Sequence, residues 1–170
     1  SIRADLDQLL ELQTLDSERD AALKSRARID SGAGAQTQVG TAQTEADQAA
    51  SQSSKTAREL KDAELELASV EVKAKSYEQK MRSGTLTNAR EITNVEKELH
   101  QLHRQRSALD DKILNLMDQA ERDREAAASK SEHLRQAHQQ LDDQKSLSRQ
   151  TLDRLNTQIN RLAVSYTHLR

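Results

Sequence analysis

The stretch Met81-Arg-Ser-Gly-Thr-Leu-Thr-Asn-Ala-Arg-Glu-Ile92 decides how this chain folds, because it holds a stop signal and a restart signal between two long helical runs. Ser83-Gly84 ends a helix well: glycine enters the left-handed conformation after a C-cap without a Cβ clash. Thr87 or Asn88 opens the next helix, and an Asn88 cap places Glu91 at N3, from which it can reach back to the cap's own N–H. A connection this short turns the second helix back along the first.

Outward from that turn the pattern is the same on both sides. From Val39 to Met81, apolar or small residues recur at alternating steps of three and four, which is a coiled-coil seam. Its first half is thin (Ala42, Ala46, Ala49, Ser53, Thr56) and its second half is filled by Leu60, Leu67, Val70, Tyr77 and Met81. The spacing resumes at Ile92, Val95, Leu99 and Leu102 and runs to Leu141. Steps of four and four at Ala137, Leu141 and Lys145 predict a stutter before Ser148, Leu152, Leu155, Ile159 and Leu162.

Folding at the turn sets Met81 opposite Ile92, Tyr77 opposite Val95, Ala74 opposite Leu99, Leu60 opposite Ile113 and Leu67 opposite Arg106. The thin stretch then meets Ala120, Asp123 and Ala127, with Asp123 opposite Ala49 as a wet weak point. Weak seam facing weak seam favours an intramolecular antiparallel hairpin over a parallel dimer. Arg106, Asp123 and Lys130 occupy seam positions; such residues either set register or send their charged heads outward along packed stems.

Upstream, Ile2, Leu6, Leu9, Leu10, Leu12, Leu15, Leu23 and Ile29 mark an amphipathic helix. Asp30-Ser-Gly-Ala-Gly-Ala35 follows, and each of its two glycines costs roughly 1 kcal/mol in a helix, so a break near 30–36 is predicted, with Gly40 loosening the restart. The expected fold is all-α, a long kinked antiparallel helical (coiled-coil) hairpin over 1–162. Its arm one is 2–82, its tip 83–88 and its arm two 89–162, the latter roughly 110 Å long at 1.5 Å per residue. Ala163-Val-Ser-Tyr-Thr-His-Leu-Arg170 leaves the pattern and reads as a non-native sequencing-adapter tail, which leads us to expect that the natural protein continues past Leu162.

Composition agrees with long helices. The chain of 170 residues has no Pro to break them, only 1% aromatics to fill a globular core, and 32% charged residues to solvate exposed faces. It has no Cys, which removes disulfides and thiolate metal sites from these residues. The formal net charge of −2 gives the whole molecule no strong pull toward nucleic acid or membrane. No apolar run approaches bilayer length, no signal peptide is visible, and a cytoplasmic location is the default.

Chemistry is sparse. No glycine-rich phosphate loop, nucleophile elbow or activated serine occurs, so the chain reads as non-enzymatic, with no catalytic residue and no metal ligand assigned. His100 and His103 share a helix face with Glu96, but two exposed imidazoles make an unselective metal site and read more simply as surface histidines. Residues 72–106 hold eight Lys and Arg against four Glu, a local charge of +4 that folding gathers near the turn. The candidate partner-binding tip is therefore Arg82, Ser83, Gly84, Thr85, Thr87, Asn88, Arg90 and Glu91. A protein partner is expected; nucleic acid is the alternative, and self-association stays open.

The run Ser83-Gly-Thr-Leu-Thr-Asn-Ala-Arg-Glu-Ile-Thr-Asn-Val-Glu-Lys-Glu-Leu99 resembles the signature loop of bacterial C4-type zinc-ribbon proteins with an N-terminal coiled-coil hairpin. Leu9-Leu-Glu-Leu-Gln-Thr-Leu-Asp16 is similar to their opening helix, and Gln105-Arg-Ser-Ala-Leu-Asp-Asp-Lys-Ile-Leu-Asn-Leu-Met117 to their return helix. The resemblance implies a kinked hairpin followed by a small ribbon with two Cys pairs. It also implies macromolecular binding, with links to nucleic acid and to regulation or chaperoning in flagellar and secretion systems. No cofactor is expected in the hairpin, and zinc is expected in the missing ribbon.

Overall fold

The computed structural model describes residues 1–169 and contains three helices among them: α1 (Ile2–Ala27), α2 (Ala33–Arg82) and α3 (Ala89–Leu169). The fold is an all-α helical hairpin, as the heptad spacing predicts. Residues 83–88 connect α2 to α3. The break is shorter than expected: only 28–32 leave the helix, and Gly34 and Gly40 both lie inside α2. Two compact units can be distinguished, Gln43–Glu132 and Ser1–Ala42 with His133–Arg170.

In the unit Gln43–Glu132 the core is the seam itself. Val70, Ala74, Leu102 and Leu109 are buried, and Leu67, Tyr77 and Leu99 pack against them. Burying one such Val or Leu contributes about 1.5–3 kcal/mol, whereas an exposed ion pair contributes about 0–1 kcal/mol. The seam, not the surface charge, therefore holds the two helices together.

The register differs from that of a symmetric fold about the turn. Asp123 accepts a hydrogen bond from Thr56 Oγ1 at 2.5 Å, not facing Ala49 as expected; 56 − 49 = 7, one heptad. Arg106, expected opposite Leu67, reaches Glu71 at 3.7 Å, a displacement in the same direction. The connection 83–88 has a turn at Ser83-Gly84, and 85–88 take no turn or helix. A heptad slide keeps every seam residue on the seam, so periodicity alone cannot detect it.

In the unit Ser1–Ala42 with His133–Arg170, both α1 and the start of α2 lie along α3. Ala22, Val39, Leu141, Leu155 and Leu162 are buried there. Antiparallel register is marked by Gln8 Nε2 donating to Leu169 O (2.9 Å), Arg26 Nη1 donating to Asn156 Oδ1 (3.2 Å) and Ser148 Oγ donating to Asp30 O (2.7 Å). The stutter predicted at Ala137–Leu141–Lys145 is absent. Lys145 is exposed, and Gln144, Ser148 and Thr151 are the inward residues, leading to buried Leu155. The step pattern changes only at Thr151, Leu155 and Ile159, four and four apart, where the neighbour of α3 has become α1. A new helix presents its apolar stripe at its own phase, so the break at 28–32 moves the slip downstream. Residues 163–169, set apart by their sequence, continue α3: Ser165 and Thr167 back-bond to Arg161 O and Ala163 O, and Tyr166 is half-buried.

Candidate functional site

α2 ends on Ser83, whose N–H donates to Gln79 O at 2.9 Å and whose hydroxyl donates to Lys80 O at 3.0 Å. The Ser83 and Thr85 hydroxyls lie 2.9 Å apart. Gly84 has φ +68°, the left-handed turn predicted for it, and nothing stands within 4 Å of where its Cβ would be. Asn88 caps α3: its Oδ1 accepts from Arg90 N at 2.9 Å, and its carbonyl accepts the first helical bond from Ile92 N at 3.1 Å. No return bond from Glu91 to the Asn88 N–H occurs among the described residues, so the side chain of Asn88 caps the helix by itself.

All eight tip residues are brought together and exposed: Arg82, Ser83, Gly84, Thr85, Thr87, Asn88, Arg90 and Glu91. Arg82 is drawn back along α2, its Nη2 3.9 Å from Glu78 and its Nε 3.5 Å from the Glu78 carbonyl. Glu78 also faces His103 Nε2 at 3.5 Å across the hairpin. Lys80 stands 5.4 Å over the Tyr77 ring, a cation–π distance. The outward-facing tip is thus Thr85, Thr87, Arg90 and Glu91, two hydroxyls and an opposed pair of charges on a short connection anchored at both ends.

Below the tip, Arg106 and Lys130 resolve their seam positions in one way. Each head meets a carboxylate of α2, Glu71 at 3.7 Å and Glu45 at 3.0 Å. Asp123 does the opposite. It is buried, and it takes hydrogen bonds from Thr56 Oγ1 (2.5 Å) and Gln119 Nε2 (2.8 Å), while Gln52 Nε2 donates to Thr56 at 3.3 Å. The Thr56 bond, then the Gln119 bond, hold its carboxyl below the ordinary value of 3.8 against the opposing effect of burial. The weak point expected at Asp123 is instead a buried carboxylate that accepts hydrogen bonds from Thr56 and Gln119. The signal for it was a Thr and an Asp on facing seams, hidden by the assumed register.

His100 and His103 gather no third ligand: among the described residues no three His, Cys, Asp or Glu side chains converge as a metal site requires. Nor is any helix among them long and apolar enough to cross a membrane. No curated protein and no solved structure matches the chain. The family model of the CT398-like coiled coil hairpin domain matches residues 4–169, nearly the whole chain and all three helices just described. The chain therefore belongs to the family of CT398-like coiled coil hairpin domains.

Proposed function

We propose that this domain is a non-enzymatic scaffold whose tip, residues 82–91, docks a partner protein. The observation that carries this reading is the construction of the tip: Ser83 and Asn88 fix its two ends by hydrogen bonds, yet Thr85, Thr87, Arg90 and Glu91 all face solvent. A connection anchored in this way presents those groups with little ordering cost on binding. The hairpin spaces the tip from whatever lies at the other end of the chain. In the zinc-ribbon proteins that residues 83–99 resemble, that other end bears a ribbon; on this reading zinc belongs there, through two Cys pairs, and the domain works in the cytoplasm as a regulatory or chaperone-like adaptor.

Photo-crosslinking in cells tests it. A crosslinker at Thr87 should capture discrete protein species that disappear with Arg90→Ala. The same species from a crosslinker at Asp111, on the exposed face of α3, or none from Thr87, overturns tip docking.

The second reading is a nucleic-acid-binding regulator in which the tip assists the ribbon, favoured by the charge of +4 over residues 72–106 (eight Lys and Arg less four Glu). Affinity for RNA or duplex DNA that falls steeply with salt, and falls again when Arg82 and Arg90 become Ala, would transfer the tip to nucleic acid.

A further inference from the structure

An arginine three places before a serine or threonine occurs five times in the chain: Arg28 before Ser31, Arg82 before Thr85, Arg90 before Thr93, Arg104 before Ser107 and Arg154 before Thr157. That spacing is a charge pattern by which a large class of protein kinases selects its acceptor hydroxyl. Transfer of a phosphoryl group depends on holding the hydroxyl in line with the donor phosphate. A kinase does this by gripping the surrounding segment in extended form, so a residue inside a stable helix is closed to it.

The fold sorts the five. Thr93, Ser107 and Thr157 lie within α3, and the hydroxyls of Thr93 and Thr157 donate to Ala89 O and Asp153 O, one turn back, at 2.9 Å each. Ser31 lies in the break, but its neighbours are held: Ser148 of α3 donates to Asp30 O, the Gly32 N–H donates to Asp30 Oδ1, and Gly32 is buried beside Leu141. Asp30 also stands directly before Ser31, an acid that opposes any enzyme selecting for positive charge. Thr85 is exposed, and 85–88 take no turn or helix. Opening Ser83-Gly84 breaks only local bonds, from Ser83 N–H to Gln79 O and from Ser83 Oγ to Lys80 O. The Arg82 side chain is 74% exposed and touches only Glu78 of its own helix. Residues 80–90 hold Lys80, Arg82 and Arg90 and no acid, a charge of +3.

We propose that Thr85 is a phosphorylation site, modified by an ATP-dependent kinase that reads Arg82. Thr85 Oγ1 bonds to the γ-phosphorus of ATP, the bond from that phosphorus to the β,γ-bridging oxygen breaks, the hydroxyl proton passes to the kinase's base, and ADP leaves. The product differs from the free tip in two ways. Ser83 gives its own proton to Lys80 O, so Thr85 is the donor in the 2.9 Å bond between the two hydroxyls. A phosphoester oxygen has no proton to donate, and that bond is lost. The phosphate also brings a charge of about −2, which takes residues 80–90 from +3 to about +1. The modification goes beyond tip docking and stands whether or not a protein docks there.

The test is incubation of the full chain with ATP and an active calmodulin-dependent protein kinase, which reads an arginine at this spacing, followed by mass-spectrometric mapping of the phosphate. One phosphate is expected, on Thr85. Arg82→Ala, with helix content unchanged by circular dichroism, should slow its incorporation at least about tenfold through loss of a charged contact to the kinase. Thr85→Ser should keep the label, and Thr85→Ala should lose it. A chain left unlabelled at Thr85 overturns the proposal. So does labelling of Ser31, Thr93, Ser107 or Thr157 at a comparable rate, or labelling of Thr85 that ignores the loss of Arg82.

Discussion

The chain leaves its helices twice, and the two departures differ in what holds them. At 28–32 and at 83–88 a glycine sits at positive φ, +83° for Gly32 and +68° for Gly84. Gly84 stands in open space, and its turn is held by neighbours in sequence, Ser83 and Asn88. Gly32 is buried: its N–H donates to Asp30 Oδ1 at 2.8 Å, its carbonyl starts α2 by accepting from Gln36 N, and a Cβ placed on it would lie 3.6 Å from Leu141 Cδ1. Ser148 of α3 holds the Asp30 carbonyl. One turn is local chemistry; the other is local chemistry pressed against a third helix.

Valine at each glycine is the strongest way to break that comparison. Both substitutions force a β-branched residue into the left-handed region, at about 1–3 kcal/mol. At Gly84 nothing adds to this strain, and the loss should be about 1–2 kcal/mol. At Gly32 the valine methyls must also enter the contact with Leu141, and the loss should reach about 3 kcal/mol. Urea unfolding followed by circular dichroism measures both. Equal losses would show that Leu141 does not press on the turn, and an unchanged Gly84→Val would show that Gly84 does not hold the left-handed conformation.

A smaller pair sharpens the same contrast. Ser148→Ala removes a hydrogen bond from the Asp30 carbonyl, and Asn88→Ala removes an N-cap; each should cost about 1 kcal/mol. They differ in reach. Hydrogen exchange in Ser148→Ala should quicken in α1 and the first turns of α2 although the substituted residue belongs to α3. In Asn88→Ala it should quicken only around 83–92. Faster exchange confined to the neighbourhood of residue 148 would remove the tie between α3 and the break.

These contrasts explain what was legible in the sequence. Ser83-Gly84 and Asn88 announce their turn because each acts within four residues of itself. Asp30-Ser-Gly-Ala-Gly offers two glycines, and the one that takes positive φ, Gly32, is the one beside Leu141, more than a hundred residues away and outside any local window; hence the break is readable but its centre is not. The seam is readable because burial has a period, and the same period hides the register, since sliding α3 by seven residues exchanges one set of seam positions for another. Leu152 misled for a related reason: it is the larger aliphatic residue, yet Thr151 keeps the alternation and turns inward, leaving Leu152 37% exposed. At the tip, the eight candidate residues were identifiable as a group because they fall within one short stretch, 82–91, whereas the return of Arg82 to Glu78 depends on side-chain geometry that spacing does not carry.

The gentlest test concerns the part of the chain that has no turn. If register is invisible to hydrophobic spacing, something else must select it, and Thr56 with Asp123 is the pair that distinguishes the two alignments. In the observed one Asp123 meets a hydroxyl; one heptad away it would meet Ala49, which has no donor to give. The same bond is the largest cause lowering the Asp123 pKa. A carboxyl depressed by folding contributes stability that is complete above its unfolded value, about 4, and is lost as pH falls through its lower folded value. Melting temperature should therefore decline on acidification below about pH 4, and Asp123→Asn should flatten part of that decline. Thr56→Val should flatten it too, because it removes the principal cause of the shift while leaving the carboxyl in place. If Thr56→Val keeps the full acid slope, the hydroxyl does not hold the carboxylate, and the observed alignment must be selected without help from this pair.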